Sequence, residues 1–451
     1  MFLPASLLES LEGIEGYDRN SFEKIHLSGQ QVTSIRLNPF KSFSPDSSWE
    51  TSPVSWCPQG YYLSERPSFT LDPRFHAGAY YVQEASSMFL WQVLKDIYPG
   101  SSSWKVLDLC AAPGGKTTLL GSFFKEGLVV ANEVIKSRAA VLVENLTKWG
   151  TDQIIITNND PAHFQSLPGY FDLMLVDAPC SGSGLFRKDP SAVTEWSIEN
   201  VALCSQRQKR ILGDALPSLK EDGILIYATC SYSPEEDEEI ADWLVGEMDM
   251  ENIPIHFQPE WGIVETTSRI HQARGYRFYP DKLKGEGFFT SVFKKRSSTQ
   301  NPRLKEFLLP VPSRQEMMQV AETINLPEAF TLFKQAETIR AIRKEWLPAL
   351  QCLAKQLYIK KAGVEIGTLK GKDLIPAHEL ALSLLPLDCF PSVELSRIDA
   401  LQYLRRKEIV LDTTYTGWSL VRFEGLPLGW VKILTNRVNN YYPAEWRILK
   451  E

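Results

Sequence analysis

Between residues 104 and 294 short apolar runs alternate with amphipathic segments, and this rhythm constrains the fold more than any other feature of the sequence. The apolar runs are 106–109, 128–131, 154–156, 173–176, 224–228 and 288–293, with helical patterns such as 136–149 and 199–216 between them. Strands that alternate with helices predict a parallel sheet covered on both faces. The last run follows a turn-like stretch instead of a helix, so we expect it to pair antiparallel at the end of the sheet.

Segments of different character flank this sheet. Before it lie a strand-like run at 32–37, a proline-rich section and a helical pattern at 82–97. After it, residues 294–302 have linker composition. Beyond them a helical stretch over about 313–355 gives way to strand-like runs ending in 409–411, 418–423 and 430–434. The sequence therefore predicts an α/β fold class divided into units 1–100, 101–296, 303–388 and 389–451.

The segment Lys105–Thr118 reads as a strand, a glycine-rich turn and a helix start. A Walker P-loop would need glycine where Cys110 stands, and a dinucleotide-binding loop would need it at Ala112. An S-adenosylmethionine loop needs only a tight turn that lets the backbone approach the ligand, which Pro113–Lys116 can supply. Taken alone, the motif fits an ordinary loop between strand and helix equally well.

Polar residues end the next two strands. Glu133 lies 25 residues after Asp108, near the spacing at which a carboxylate accepts both hydroxyls of a ribose. Asp160 follows the third strand, where a carboxylate can reach an adenine amino group. Because ligands bind at the carboxyl ends of parallel strands, three strands that end in this way favour an adenosine ligand.

The seven cysteines include no CxxC pair, which disfavours zinc, other metal sites and a disulfide framework. Cys204, Cys352 and Cys389 are predicted to be inert apolar side chains. Cys180 and Cys230 differ from them because each follows an apolar strand at the edge where a ligand would bind. They are the first candidates for chemistry.

The net charge of −7 is uneven, with −11 in residues 1–300 and +4 in residues 301–451, so any surface for nucleic acid must be local. The acidic run Glu235–Glu239 is expected to be a solvated helix start. The amino terminus has no early basic residue, and no apolar run approaches the roughly 20 residues of a membrane span. We expect a soluble, cytoplasmic protein with no signal peptide and no membrane association.

Taken in order, Cys110–Lys116, Asp177–Gly182 and Thr229–Ser231 resemble the Nol/Nop/Sun family of RNA cytosine-5 methyltransferases, in particular its bacterial RsmF-type 16S ribosomal RNA enzymes. Pro-Cys-Ser and Thr-Cys-Ser together form that family's signature. The likeness extends to residues 33–38 and 78–88, which look like the family's RNA-facing lead-in. It implies a Rossmann-like class I methyltransferase sheet, an N-terminal α+β RNA-binding region and a C-terminal PUA-like module at 389–451.

The resemblance also implies the cofactor, S-adenosylmethionine, and the residues around it. Its methionine part would lie against Cys110, Ala111, Ala112, Pro113, Gly114, Gly115 and Lys116. Glu133 would take the ribose hydroxyls and Asp160 the adenine, with Asp177 between cofactor and base. No metal is implied.

The implied reaction is methylation of carbon 5 of cytosine in RNA, with Cys230 as the nucleophile, Cys180 in product release and Asp177 beside the base. Residue chemistry alone leaves the order of the two cysteines open. The expected partner is 16S ribosomal RNA or the small ribosomal subunit, bound by a monomer. Transfer RNA as substrate, or RNA binding without catalysis, are the alternatives. Candidate phosphate contacts are the basic clusters at 187–188, 207–210, 294–296 and 405–407.

Overall fold

The computed structural model describes residues 3–43, 49–98, 100, 103–298, 305–411 and 415–450. The linker predicted at 294–302 therefore lies in part, from residue 299, outside the described residues. The N-terminal region contains helices α1 Ala5–Ser10, α2 Arg19–Leu27, α3 Pro73–His76 and α4 Leu90–Ile97, and strands β1 Thr33–Leu37, β2 Thr51–Pro53, β3 Gly60–Leu63 and β4 Tyr80–Val82. The four strands form an antiparallel sheet in the order β2-β3-β1-β4.

The central region alternates strand and helix as predicted. Its strands are β5 Lys105–Asp108, β6 Leu128–Asn132, β7 Ile154–Thr157, β8 Phe171–Asp177, β9 Leu219–Thr229, β10 Met250–Asn252, β11 Val264–Thr267, β12 Arg274–Phe278 and β13 Phe288–Lys295. Its helices are α5 Gly115–Phe123, α6 Lys136–Trp149, α7 Ala192–Glu195, α8 Ile198–Ala215 and α9 Glu238–Glu247. Strands β7-β6-β5-β8-β9 run parallel, and β13 pairs antiparallel with β9. The predicted α/β class and the antiparallel last strand are confirmed.

Successive residues of the central strands are buried on opposite faces of the sheet. Val106 and Val129 pack in one apolar cluster, while Leu107 and Val130, one residue further along each strand, pack in the other. Both faces are therefore covered, which explains why these strands read as continuous apolar runs rather than as an alternation. Polar side chains are displaced to the carboxyl ends of the strands, where the site forms.

The C-terminal third contains two smaller sheets. The first part comprises α10 Arg314–Thr323, β14 Phe330–Gln335, β15 Thr338–Arg343, α11 Leu347–Gln356, β16 Ile359–Lys361, β17 Val364–Lys370, β18 Asp373–Pro376 and α12 His378–Leu382. The second comprises β19 Ser392–Glu394, α13 Arg397–Leu404, β20 Gly417–Phe423, β21 Leu426–Ile433 and β22 Val438–Asn440. Strands β14-β15-β17-β18 and β19-β20-β21-β22 form the two sheets, while β16 pairs with β7 and extends the central sheet to ten strands among the described residues.

Three local predictions are wrong. The stretch 313–355 is not continuously helical, because its middle forms the hairpin β14–β15, whose strands contain the strand-favouring residues Phe330, Phe333, Ile339 and Ile342. Residues 409–411 form no strand. They read as a strand because they are apolar, but Ile409 is buried in a loop instead. The helical pattern at 82–97 begins only at Ser86, because Val82 pairs with Ile35 in the N-terminal sheet.

The N-terminal sheet and the C-terminal module share one apolar cluster, although they are far apart in sequence. Ile35 and Tyr80 pack in the same cluster as Tyr403, Val421 and Tyr442. The two ends of the chain therefore support each other beside the central sheet. None of the helices in the described ranges is long and apolar enough to cross a membrane.

Candidate active site

A cleft of about 160 Å³ opens at the carboxyl ends of β5 and β8. Its lining combines the predicted loop with residues from the N-terminal sheet: Tyr81, Val82, Gln83, Glu84, Ser87, Asp108, Cys110, Ala111, Ala112, Pro113, Gly115, Lys116 and Asp177. The sheet edge and the N-terminal region therefore enclose it from two sides.

Hydrogen bonds from neighbouring side chains fix the backbone of the loop before α5. Gly114 adopts φ +113°, a left-handed conformation that favours glycine, and the chain turns there into the helix. The Tyr81 hydroxyl donates to the Pro113 carbonyl at 3.1 Å, and Arg138 Nη2 donates to the Ala112 carbonyl at 2.8 Å. Arg36, fully buried, donates to the Gly115 carbonyl and to Thr118 Oγ1.

Asp108 supplies an acceptor that the described residues leave unused. Thr117 Oγ1 donates to its Oδ2 at 2.6 Å, whereas its buried Oδ1 has no hydrogen-bond partner among the described residues. Burial raises the pKa of Asp108 to about 7. A ligand ammonium in the cleft would satisfy Oδ1, and the backbone N–H groups at the start of α5 suit a ligand carboxylate. The cleft thus fits the amino-acid end of S-adenosylmethionine.

Glu133 and Asp160 follow β6 and β7, the next strands along the same edge, but neither lines the 160 Å³ cleft. Glu133 is buried, and its Oε1 accepts from the Ile135 N–H at 2.9 Å. Asp160 accepts from the Ala162 N–H and lies 3.4 Å from Arg210 Nη1. Their predicted contacts with ribose and adenine therefore stay predictions.

Lys116 and Asp177 form an ion pair in the lining of the cleft. Lys116 Nζ lies 2.8 Å from Asp177 Oδ2. Burial opposes the charge on Lys116, but the Asp177 carboxylate outweighs it, so the pKa of Lys116 lies above its usual value. The pair places an ammonium and a carboxylate side by side at the carboxyl end of β8, where Asp177 ends the strand.

The two candidate cysteines meet in space although 50 residues separate them in sequence. Cys180 follows β8, Cys230 follows the adjacent parallel strand β9, and their Sγ atoms lie 3.1 Å apart. All seven cysteines are free thiols. The hydrogen bond with Cys230 and burial raise the pKa of Cys180 well above its usual value. The Gly184 N–H donates to the Cys230 carbonyl at 2.9 Å, which ties the two loops together directly.

The acidic run after Cys230 is not the solvated helix start that the sequence predicted. Glu236, Asp237 and Glu238 are buried, and only the ends of the run are accessible. Asp237 Oδ1 accepts from Thr229 Oγ1 at 2.7 Å, and Arg277 lies 3.2 Å from Asp237 and 2.5 Å from Glu238. A run of like charges usually stays in water, and here hydrogen-bond donors and a buried arginine compensate it.

Two further predictions need correction. Arg187 and Lys295 do not offer phosphate contacts, because both are buried and donate to backbone carbonyls inside the protein. Cys389 is exposed rather than core filler, since the loop after α12 turns Leu387 inward instead. Cys204 and Cys352 are buried as predicted.

Sequence reasoning missed Tyr81 and Gln83 as parts of the cleft and Arg36 as the residue behind them. Gln83 Oε1 accepts from Arg36 Nε at 2.8 Å, and Tyr81 and Gln83 both line the cleft. They lie in the segments that resembled an RNA-facing lead-in. The one signal in the sequence was Arg36, a charged residue within an apolar strand pattern. A charge buried in such a strand requires several hydrogen-bond acceptors around it.

A parallel sheet with its cleft at the strand ends, a glycine turn before a helix and a paired-cysteine edge define a Rossmann-like methyltransferase. Comparison of the sequence with family models agrees along the chain. Residues 3–85 match the N-terminal domain of 16S rRNA methyltransferase RsmF, residues 97–294 match 16S rRNA methyltransferase RsmB/F, and residues 390–448 match the methyltransferase RsmF PUA domain.

Whole-length relatives and solved structures are consistent with this match. Ribosomal RNA small subunit methyltransferase F of Aliivibrio salmonicida is 30% identical, over 91% of this chain and 90% of the relative. The Vibrio parahaemolyticus protein of that name is 28% identical, over 99% and 98%. A methyltransferase homolog from Pyrococcus horikoshii is 28% identical at a TM-score of 0.53, covering 65% of this chain and 100% of its own. NSun6 from Pyrococcus horikoshii, crystallised with SFG, shares the fold at 19% identity and a TM-score of 0.54, over 65% and 99%.

The chain belongs to the RsmB/F family of 16S rRNA methyltransferases. It is an RNA methyltransferase whose cofactor is S-adenosylmethionine. The predicted family, the fold with its C-terminal PUA module and the cofactor are confirmed.

Proposed function

We propose that this protein methylates carbon 5 of cytosine in 16S ribosomal RNA, with Cys230 as nucleophile and Cys180 in product release. The observation that carries the proposal is the 3.1 Å approach of the two thiols at the edge of the sheet that also bears Asp177 and the cofactor loop. A cysteine that only fills space in the core needs no second thiol in contact with it. Two thiols in contact beside a methyl donor suit a reaction with a covalent intermediate.

S-adenosylmethionine supplies an electrophilic methyl group. Carbon 5 of cytosine is too weak a nucleophile to take that group without help. Addition of the Cys230 thiolate to carbon 6 forms a sulfur–carbon bond and makes carbon 5 nucleophilic. The bound cofactor would supply its methyl group to carbon 5 and would leave as the demethylated thioether. Water then takes the carbon-5 proton, the sulfur–carbon bond to Cys230 breaks, and the Cys180 thiol, 3.1 Å away, protonates the departing sulfur. The aromatic ring is restored and the RNA is released.

The surroundings of the cysteines support this division of work. The hydrogen bond with Cys230 and burial raise the pKa of Cys180, and its sulfur lies 3.1 Å from the Cys230 sulfur. Cys180 therefore suits the role of a proton donor to that sulfur as it leaves, rather than that of the attacking thiolate. Lys116, 2.8 Å from Asp177, supplies positive charge that stabilises the ring as the thiolate adds. Asp177 lies between the cofactor loop and the cysteine loops and would hold the base edge.

We propose 16S rRNA as the substrate because the matched family models are described as 16S rRNA methyltransferases and the relatives are named ribosomal RNA small subunit methyltransferases. We place the reaction in the cytoplasm. A base must leave its stack to reach the cleft, so loosely paired RNA is expected. The N-terminal region 1–100 and the module 389–451 are proposed to bind RNA around the site; the latter includes the residues matched by the PUA model.

The test measures methyl transfer to small ribosomal subunits, naked 16S rRNA and transfer RNA, followed by nucleoside mass spectrometry. We expect 5-methylcytidine in 16S rRNA and loss of turnover in Cys230→Ala. Methylation of transfer RNA alone would overturn the substrate, and a methylated nucleoside other than 5-methylcytidine would overturn the chemistry. Binding of RNA and S-adenosylmethionine with no transfer to any of the three would indicate a non-catalytic role.

A further inference from the structure

The residue that follows each cysteine is bound to one and the same carboxylate. Glu236 Oε1 accepts from the Ser181 backbone N–H at 2.8 Å, and Oε2 accepts from the Ser181 hydroxyl. The Ser231 hydroxyl donates to Oε2 at 2.6 Å. Ser181 follows Cys180 and Ser231 follows Cys230, so a single side chain joins the two cysteine loops one residue away from each thiol.

Glu236 is held in place from behind. Gln208 on α8 donates through Nε2 to Glu236 Oε1 at 3.1 Å and also to the Pro179 carbonyl at 3.1 Å. The Tyr227 hydroxyl donates to the Glu236 carbonyl at 2.6 Å. Glu236 itself is fully buried. Neither thiol is among its hydrogen-bond partners, so its contacts reach the reacting atoms only through the serines.

We infer that Glu236 is a positioning residue for the reaction, which fixes the distance between the Cys180 and Cys230 thiols by accepting hydrogen bonds from both loops. The inference rests on the proposed function. Four donors converge on two carboxylate oxygens, so removal of the side chain leaves buried N–H and O–H groups without their acceptor. The bond from the Gly184 N–H to the Cys230 carbonyl still connects the loops, but the residues next to the thiols are no longer fixed. The nucleophile and its partner then lose their alignment, although neither has been altered.

A comparison of Glu236→Ala with Glu236→Gln separates hydrogen-bond geometry from charge. A glutamine oxygen can accept from the Ser181 N–H and from Gln208, while its amide can donate to the two serine hydroxyls after they rotate. Glu236→Gln should therefore keep most of the activity. Glu235→Ala, at the half-buried neighbouring residue, is the matched control for the loss of one carboxylate in this run.

The assay uses full-length protein, S-adenosylmethionine and 16S rRNA, and follows two steps. In a Cys180→Ala background, the rate at which denaturant-stable RNA adduct appears reports attack by Cys230. In protein that keeps Cys180, the multiple-turnover rate also depends on release of the methylated RNA. We expect Glu236→Ala to slow both by about 100-fold, the loss typical of a misplaced reacting group, and Glu236→Gln to stay within about threefold because it can replace the contacts. Glu235→Ala should match its parent protein.

Single serine variants give a readout that a merely structural role would not move. Ser231→Ala should slow adduct formation more than release, and Ser181→Ala should slow turnover while adduct formation in the Cys180→Ala background stays close to its starting rate. The different effects of the two serine variants on adduct formation and turnover also test the positioning role if Glu236→Ala does not fold. Calorimetric binding of S-adenosylmethionine identifies the folded fraction of every variant.

Each outcome bears on one idea only. If Cys180→Ala forms no adduct and the unaltered protein methylates no cytosine, the proposed function fails whatever Glu236 does. If those controls succeed, wild-type rates in folded Glu236→Ala would overturn the positioning role. Equal damage in Glu236→Gln and Glu236→Ala, or equal effects of the two serine variants on both steps, would overturn it as well.

Discussion

Replacement of Gly78 by alanine should destabilise the protein far more than the same change at Gly29. Both glycines have a left-handed φ, +70° at Gly78 and +68° at Gly29. A Cβ at Gly29 would meet nothing within 4 Å, whereas at Gly78 it would lie 1.8 Å from the Lys148 carbonyl oxygen. That oxygen belongs to the last turn of α6, so the clash is between two backbones. They would have to separate by more than about 1 Å to reach an ordinary contact.

The strain of a left-handed alanine costs about 1 kcal/mol at either site. Overpacking adds about 2 kcal/mol at Gly78 alone, so Gly78→Ala should lose about 3 kcal/mol of unfolding free energy in total. Because β4 follows directly and carries Tyr81 into the cleft, this variant should also bind S-adenosylmethionine more weakly. Urea unfolding monitored by tryptophan fluorescence and calorimetry of cofactor binding measure the two effects. Equal stability of the two variants, within about 0.5 kcal/mol, would refute the reasoning.

Two further perturbations test the charges of the structure. Lys116→Met leaves Asp177 without its partner at 2.8 Å and should slow single-turnover methyl transfer by about 100-fold; an unchanged rate would contradict the role of the pair. Burial lowers the pKa of His378 to about 3, below the roughly 6.5 of an unfolded histidine. Its contribution to stability is therefore lost as pH falls below 6.5, by about 2 kcal/mol at pH 5. His378→Leu should show a smaller loss of unfolding free energy between pH 7 and pH 5 than wild type, and an identical loss would contradict this.

The central sheet could be predicted because its signals are local. The helix Lys136–Trp149 has the bounds that its spacing predicted, and the apolar runs at 128–131 and 154–156 fall within strands. Each of these elements is decided by residues within one turn or one strand. The hairpin β14–β15 was missed because its turn contains no glycine; Ala336 takes the positive φ instead, which no sequence pattern indicates.

The sequence brought the site residues to one edge of the sheet but could not give their contacts. Cys180 and Cys230 meet because β8 and β9 are neighbours in the sheet. The order of the strands along the sequence does not establish which of them are neighbours. The burial of Glu236 depends on donors from Ser181 and Gln208, which lie 55 and 28 residues earlier. Charge in a sequence indicates solvent unless such partners are known, and they become visible only in the folded chain.

The most direct test of the account is to locate the covalent bond between protein and RNA. Cys180→Ala, incubated with S-adenosylmethionine and 16S rRNA and then digested with trypsin and nuclease, is analysed by mass spectrometry. Trypsin places Cys230 in the peptide 221–269 and residue 180 in the peptide 149–187, so the two are resolved. We predict a methylated cytidine nucleotide bound to Cys230. An adduct on another cysteine, or one trapped by Cys230→Ala in place of Cys180→Ala, would contradict the central claim.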